Sequence, residues 1–388
     1  MKESIMRKFP EGFYWGAATA SYQVEGGIEN NDWAEAAQLG RIPAAGQACD
    51  GYNRYTEDFE IAKSLNHNAH RFSIEWARIE PEEGKFDEEE IEHYRQVIRT
   101  LRERGLEPFV TLWHFTLPLW FSKIGGFENP RSPEIFSRYC EYVVSRLGDR
   151  VKYWITINEP NVYNSHGYLK GVWPPFKKNI FKFIKVQRNL ITSHNVGYKK
   201  IKRLLPNVSV GIAQNVIFFE SNYNPINHLL SRLARFFWNS YFINKISKYQ
   251  DFIGINHYHR HGFGVKRDLP RTEYLNWEIY PDGFYAVLME LKRFNLPVFV
   301  TENGLADSRD VMREKFIREY LFQIWRAIQH NVDVRGYFHW SLIDNFEWAH
   351  GFGPRFGLVE IDYDTLKRKI RPSAYKYAKI CKENALTM

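Results

Sequence analysis

One period governs this chain. A short run of β-branched and aromatic residues is followed by a longer amphipathic stretch, and the pattern recurs. The apolar runs lie at 13–20, 69–74, 108–113, 152–157, 208–214, 252–255, 297–301 and 335–340. Near-continuous apolar runs of this length read as strands buried on both faces, as in a parallel sheet. Between them, segments such as 87–104, 133–147, 189–204, 283–295 and 313–330 carry apolar residues at the i, i+3, i+4 spacing of a helix packed on one side. Strands alternating with helices imply βαβ units, and eight such units close into a (β/α)8 TIM barrel, an α/β fold. A doubly wound open sheet is the alternative, but no Gly-x-Gly-x-x-Gly follows the first run. No Ser/Pro/Gly-rich linker divides the chain, so residues 1–388 are expected to form a single barrel domain.

A barrel places function at the carboxyl ends of its strands. The stretch "WITINEP" (154–160) is a strand-like run that stops at an amide, an acid and a proline. Pro160 has no N–H and ends regular pairing. "VFVTENG" (298–304) repeats the pattern with Glu302 and Asn303. Taken alone, either acid reads equally as a turn residue. Around them the strand ends supply Gln23, Arg71, Glu75, His114, Asn158, Asn256, Tyr258 and Trp340, with Glu347 and Trp348 on the loop beyond. Glu159 and Glu302 would face each other across the mouth. Two carboxylates in a cleft are the equipment of glycosidic-bond hydrolysis.

Composition narrows the partners. Aromatics make up 16% of the residues, and aromatic faces either fill a large core or stack on sugar rings. The net charge of +8 arises partly from runs such as 198–203 and 367–371, which mix Lys and Arg with apolar residues at helical spacing. They read as solvated helix faces, and no nucleic-acid partner is expected. Cys49, Cys140 and Cys381 are too few and too scattered for a disulfide framework, which suggests a reducing, cytoplasmic setting. There is no apolar run of roughly 18 residues, so no membrane partner is expected.

The motifs "FPEGFYWGAATASYQVEGG", "HRFSIEWARIEPEEGKFD", "TLWHFTLPLW", "WITINEPN", "DFIGINHYH", "WEIYPDGFY", "VFVTENGLAD" and "HWSLIDNFEWAHGFGPRFGLVEIDY" run nearly end to end. Through them the chain resembles glycoside hydrolase family 1, the β-glucosidase and β-galactosidase family. The resemblance implies a retaining double displacement on small β-glycosides or short oligosaccharides, with no cofactor and no metal. Glu302 would be the nucleophile and Glu159 the acid/base, their carboxyls about 5–5.5 Å apart. Glu159 would have a raised pKa and Glu302 would stay ionised. Arg71 and Tyr258 match groups that support the nucleophile. Gln23, His114, Asn158, Glu347 and Trp348 match groups that hold the sugar hydroxyls. Trp340 matches the floor under the ring, Trp277 a leaving-group platform and Phe356 a pocket wall.

The chain also departs from the family. Phe115 stands where many members have Trp, His257 where Tyr is usual, and trimming is expected between Asn215 and Asp251 and after Gly304. Glu347 argues against a phosphorylated sugar, since a carboxylate repels phosphate. Transglycosylation through the same intermediate stays open, as does a purely sugar-binding barrel. His257, His259 and His261 alternate, and on a regular strand would face one way as zinc ligands do. The apolar segment 228–242 reads as packed on the barrel wall, as a membrane-surface contact or as a candidate homo-oligomer surface.

Overall fold

The computed structural model describes residues 6–387. Eight parallel strands form a closed barrel in sequence order: β1 Tyr14–Ala18, β2 Ala69–Ser73, β3 Glu107–Trp113, β4 Tyr153–Asn158, β5 Ser209–Ser221, β6 Phe252–Phe263, β7 Val298–Asn303 and β8 Val334–Trp340. β1 pairs with both β2 and β8, which closes the ring. The main outer helices are α1 Gly51–Ser64, α2 Glu88–Glu103, α3 Ser132–Leu147, α4 Ile180–Leu204, α5 Pro225–Arg235, α6 Pro281–Leu291, α7 Arg313–Gln329 and α8 Pro372–Glu383. A short antiparallel ribbon, Met6–Lys8 with Ala385–Thr387, ties the two ends of the chain together.

Aromatic rings plug the lower barrel. Phe109, Tyr153, Phe252 and Phe299 belong to one buried cluster, in which Phe109 stacks on Tyr153 at 4.2 Å, and half-buried Tyr14 packs against it. Polar side chains occupy the interior above that plug, among them Arg71, Asn158, Asn256 and Glu302, all buried. The larger core lies between the strands and the helices. There α2 buries Ile91, Tyr94, Val97, Ile98 and Leu101, the spacing of one helix face. Asp87 accepts hydrogen bonds from the backbone N–H groups of Glu89 and Glu90 and so caps that helix.

Two strands overrun their expected ends. β5 and β6 continue past the barrel as a parallel ribbon, pairing through Ser221 and Phe263. Between the pairs Val216–His257 and Phe218–Arg260 the register slips by one residue, a bulge on β6. That bulge breaks the alternation expected of His257, His259 and His261. His257 Nδ1 donates to Val216 O and its ring stacks on Phe284, whereas His261 lies against Phe219 and Phe263. Among the described residues no group of three or more His, Cys, Asp or Glu is placed to hold a metal ion.

The packed-wall reading of 228–242 fits only its end. Phe242 is buried, as are Ile243 and Ile246 beyond it, but α5 buries only Ser231 and leaves Ile226, Leu229, Leu230 and Leu233 exposed. All three cysteines are free and buried. No helix among the described residues is long and apolar enough to cross a membrane.

Candidate active site

The carboxyl ends of the strands surround a cleft of about 510 Å³, within the range of small-molecule sites. β4 ends at Asn158, and the chain then turns sharply. Glu159 adopts φ 42°, ψ 60°, a left-handed conformation that L-residues rarely take, before Pro160 opens a short helix. Its backbone N–H donates to Ala213 O of β5 at 2.7 Å. Phe115 and Trp348 also have positive φ, and all three line the cleft. Strain of this kind persists where surrounding structure holds it, typically at functional sites.

Glu302 leaves the end of β7 and is clamped. Arg71 Nη1 donates to its Oε1 at 2.5 Å, and Tyr258 Oη donates to its Oε2 at 2.5 Å. Every nitrogen of Arg71 is engaged: Nη2 donates to Asn158 Oδ1 at 2.7 Å, Nε donates to Thr111 and Nη1 also donates to Thr301 O. Gly304 follows the motif for a steric reason, since a Cβ there would lie 1.8 Å from Trp340 O.

Glu159 forms no ion pair among the described residues. Its Oε1 accepts from Asn215 Nδ2 at 2.9 Å and from Asn256 Nδ2 at 3.0 Å. Burial, then the Glu302 charge, push its pKa up to about 8. Burial also raises Glu302, against the downward pull of Arg71 and Tyr258. The expectation of an ionised Glu302 therefore omitted its burial cost; the guanidinium and phenol are what favour its charge. Glu347 is likewise pushed to about 8, by burial and then by the other two carboxylates.

The cleft floor offers unspent polar groups. Asn158 Oδ1 accepts from Arg71 and Asn256, so its Nδ2 donates to His114 Nε2 at 3.1 Å. That assigns the proton of neutral His114 to Nδ1, which has no partner among the described residues. Burial, with the Arg71 charge, holds His114 far below its ordinary pKa. Gln23 spends its Nε2 on Asn345 Oδ1 and Phe346 O, leaving a buried Oε1 without a partner. A free donor beside a free acceptor suits hydroxyl groups, which do both. Trp340 and Trp348 lie nearly parallel to the His114 ring, at 6.1 and 5.9 Å, and supply apolar faces.

The structure thus gathers Gln23, His114, Asn158, Glu159, Tyr258, Trp277, Glu302, Trp340, Glu347, Trp348 and Phe356 around one cleft. Arg71 is not in the lining but hydrogen-bonds Glu302 and Asn158, which are. Sequence reasoning missed Asn215, Trp238, His166, Lys170 and Trp173, which also line it, and had His259, another lining residue, only as a candidate zinc ligand. Trp238 Nε1 donates to Asn215 Oδ1 at 3.0 Å and so orients the amide against Glu159. Phe115 carries no polar group and packs on Trp173 and Trp348. A clamped carboxylate can attack carbon, and a carboxyl raised to about 8 can deliver a proton near neutral pH.

The family model for glycosyl hydrolase family 1 matches residues 5–249 and 221–386. Beta-glucosidase A of Thermotoga maritima is 37% identical over a 444-residue alignment that covers 98% of this chain and 99% of that protein. The beta-glycosidase from Pyrococcus horikoshii superimposes with a TM-score of 0.92 at 38% identity, covering 98% of this chain and 96% of that one. A T. maritima beta-glucosidase in complex with glucoimidazole gives 0.94 at 34% identity, covering 97% and 99%.

Proposed function

The chain belongs to glycosyl hydrolase family 1, and from that premise we propose that it is a retaining β-glycosidase that removes terminal β-D-glucosyl residues from the non-reducing end. Galactosyl and fucosyl residues are the neighbouring candidates. Relatives named as β-glucosidases and a neighbour holding glucoimidazole support the glucosyl reading. The whole chain acts as one catalytic barrel domain in this reading.

The observation that carries the mechanism is the unequal setting of two buried carboxylates. Glu302 has a guanidinium and a phenol hydroxyl on its oxygens, whereas Glu159 has only two amides. In the first step Glu302 Oε attacks the anomeric carbon, and the bond to the leaving oxygen breaks as Glu159 gives that oxygen its proton. The product is a glycosyl ester on Glu302. Tyr258 and Arg71 hold the attacking carboxyl in place. In the second step Glu159, now a carboxylate, takes a proton from water. The resulting hydroxide-like oxygen attacks the anomeric carbon, and Glu302 departs as carboxylate. Inversion twice gives net retention. Arg71 and Asn256 orient the Asn158 amide, and in this reading it meets the 2-hydroxyl, where hydrogen bonds strengthen in the transition state.

The test is hydrolysis of p-nitrophenyl β-D-glucoside by the wild type and by Glu302→Gly, with and without azide. The expected result is an active wild type and an inactive variant, its turnover restored by azide with formation of the α-glycosyl azide. A wild type inert on gluco, galacto and fuco substrates alike would overturn the reading. A variant that hydrolyses unaided would remove Glu302 from the role of nucleophile.

A further inference from the structure

The cleft changes sign from floor to mouth. Its floor holds three carboxyls, Glu159, Glu302 and Glu347, and the cation that pulls on the first two is Arg71. Its outer wall carries Lys170, His166 and His259 and, among the described residues, no carboxylate. Lys170 and His166 come from a π-helical turn, Ser165–Lys170, a wide turn that often marks a functional position.

Lys170 forms no ion pair among the described residues, and its one polar partner is His166 Nε2 at 3.4 Å. His166 Nδ1 lies 3.0 Å from Val162 O and can only donate there, which leaves Nε2 as a lone pair for the ammonium. Lys170 therefore stays the charged member. Its charge acts on both His166 and His259, so the three groups share one region of the wall. His259 stacks on Trp277 at 5.2 Å, and its buried Nδ1 has no partner. Partial burial lowers the pKa of Lys170, which is the mark of an ammonium short of counter-charge.

We propose that this wall is an anion-accepting leaving-group subsite, in which an aromatic aglycone lies on Trp277 and a carboxylate on that aglycone meets the Lys170 ammonium and His259 Nδ1. The preferred substrates are then β-glucosides of aromatic acids rather than of neutral alcohols. This rests on the β-glycosidase reading for the orientation of the sugar, but the charge pattern of the wall is independent of catalysis.

Binding can be measured by calorimetry with p-carboxyphenyl thio-β-D-glucoside and with its methyl ester, whose sulfur resists acid-assisted cleavage. The wild type should bind the acid about 5-fold more tightly than the ester, the upper range for an ion pair open to water. Lys170→Met should abolish the preference and Lys170→Glu should reverse it. Each ratio is taken within one variant, so loss of active protein does not alter it. Equal binding of acid and ester by the wild type, or a preference that survives in Lys170→Met, would overturn the subsite. If the acid preference holds while the p-nitrophenyl β-glucoside, β-galactoside and β-fucoside are all left intact, the proposed activity falls and the anionic subsite stands. If neither thioglucoside binds, both fall.

Discussion

Glu159 owes its proton affinity to what surrounds it, and one amide offers a direct handle. Asn215 donates to Glu159 Oε1, and this bond, like that of Asn256, favours the carboxylate and pulls the pKa down. The form needed for departure of the leaving group is the protonated acid. Removing the amide in Asn215→Ala should raise the pKa further above about 8, and the alkaline limb of kcat/KM should move up by about 0.5–1 pH unit. The acid limb should stay where it is. A pH–rate profile with an unmoved or lowered alkaline limb would show that Asn215 does not tune the acid. Glu159 and Glu302 were legible because each directly follows an apolar run. Asn215 was not: it also follows an apolar run, 208–214, but it is a carboxamide with no acid beside it, and in the structure β5 continues through it to Ser221. Nor was Trp238, which reaches the cleft from the π-helical turn Phe236–Ser240. No periodicity in sequence announces such a turn.

Elements decide how firmly the leaving-group side is built. Arg260, its side chain only 1% exposed, stands just past the β6 bulge and joins Glu220 Oε2 on β5 at 2.8 Å to Glu278 Oε2 at 2.6 Å. Glu278 directly follows Trp277, so this guanidinium ties the platform segment to the overrunning ribbon. Arg267 and Arg271 keep partial hold of the same two acids. Arg260→Met should therefore cost about 2–3 kcal/mol in urea unfolding, less than the 3–5 kcal/mol of a buried pair broken outright. It should also raise KM for aryl glucosides about 5-fold with little change in kcat, since it loosens binding and leaves the carboxylates alone. A fall in kcat at constant KM would place Arg260 in the chemistry instead. The overrun of β6 escaped sequence reading because the strand continues after the bulge with polar residues, Arg260 among them, whereas β5 runs on through Val216, Ile217, Phe218 and Phe219 once past the polar pair Gln214 and Asn215 that reads as its end. The first turns of α4 escaped for the opposite reason: Ile180 and Phe181 there are 50% and 80% exposed, so the core-facing stripe begins only later. α1 buries just Gly51, Asp58, Phe59 and Ala62, too thin a stripe to stand out.

At the scale of the whole molecule, folding buries many titratable groups, and this sets the response to pH. Glu25 is pushed up to about 7, and Asp32, Glu159 and Glu347 to about 8, in each case first by burial. An acid whose folded pKa exceeds its unfolded value stabilises the fold below the unfolded pKa, and that contribution is lost as pH rises through the folded pKa. For these acids the loss runs from about pH 4 to pH 8. Buried histidines act on the other side. His67, His70 and His257 are held down to about 3 and His194 to about 4, again by burial. They stabilise the fold above their unfolded pKa of about 6.5, and the contribution is lost as pH falls towards the folded values. The net charge of +8 adds self-repulsion on the acid side as carboxylates lose their charge. The two windows overlap, so Tm should peak near about pH 6 and fall on both sides, more steeply towards acid. The alkaline arm can be separated from general repulsion, because the net positive charge shrinks as pH rises and repulsion alone would raise Tm there. Calorimetry in matched ionic strength therefore decides the origin. A Tm that falls between about pH 6 and pH 8.5 assigns the loss to buried carboxyls giving up their protons, whereas one that climbs across that interval would mean they are already ionised in the fold.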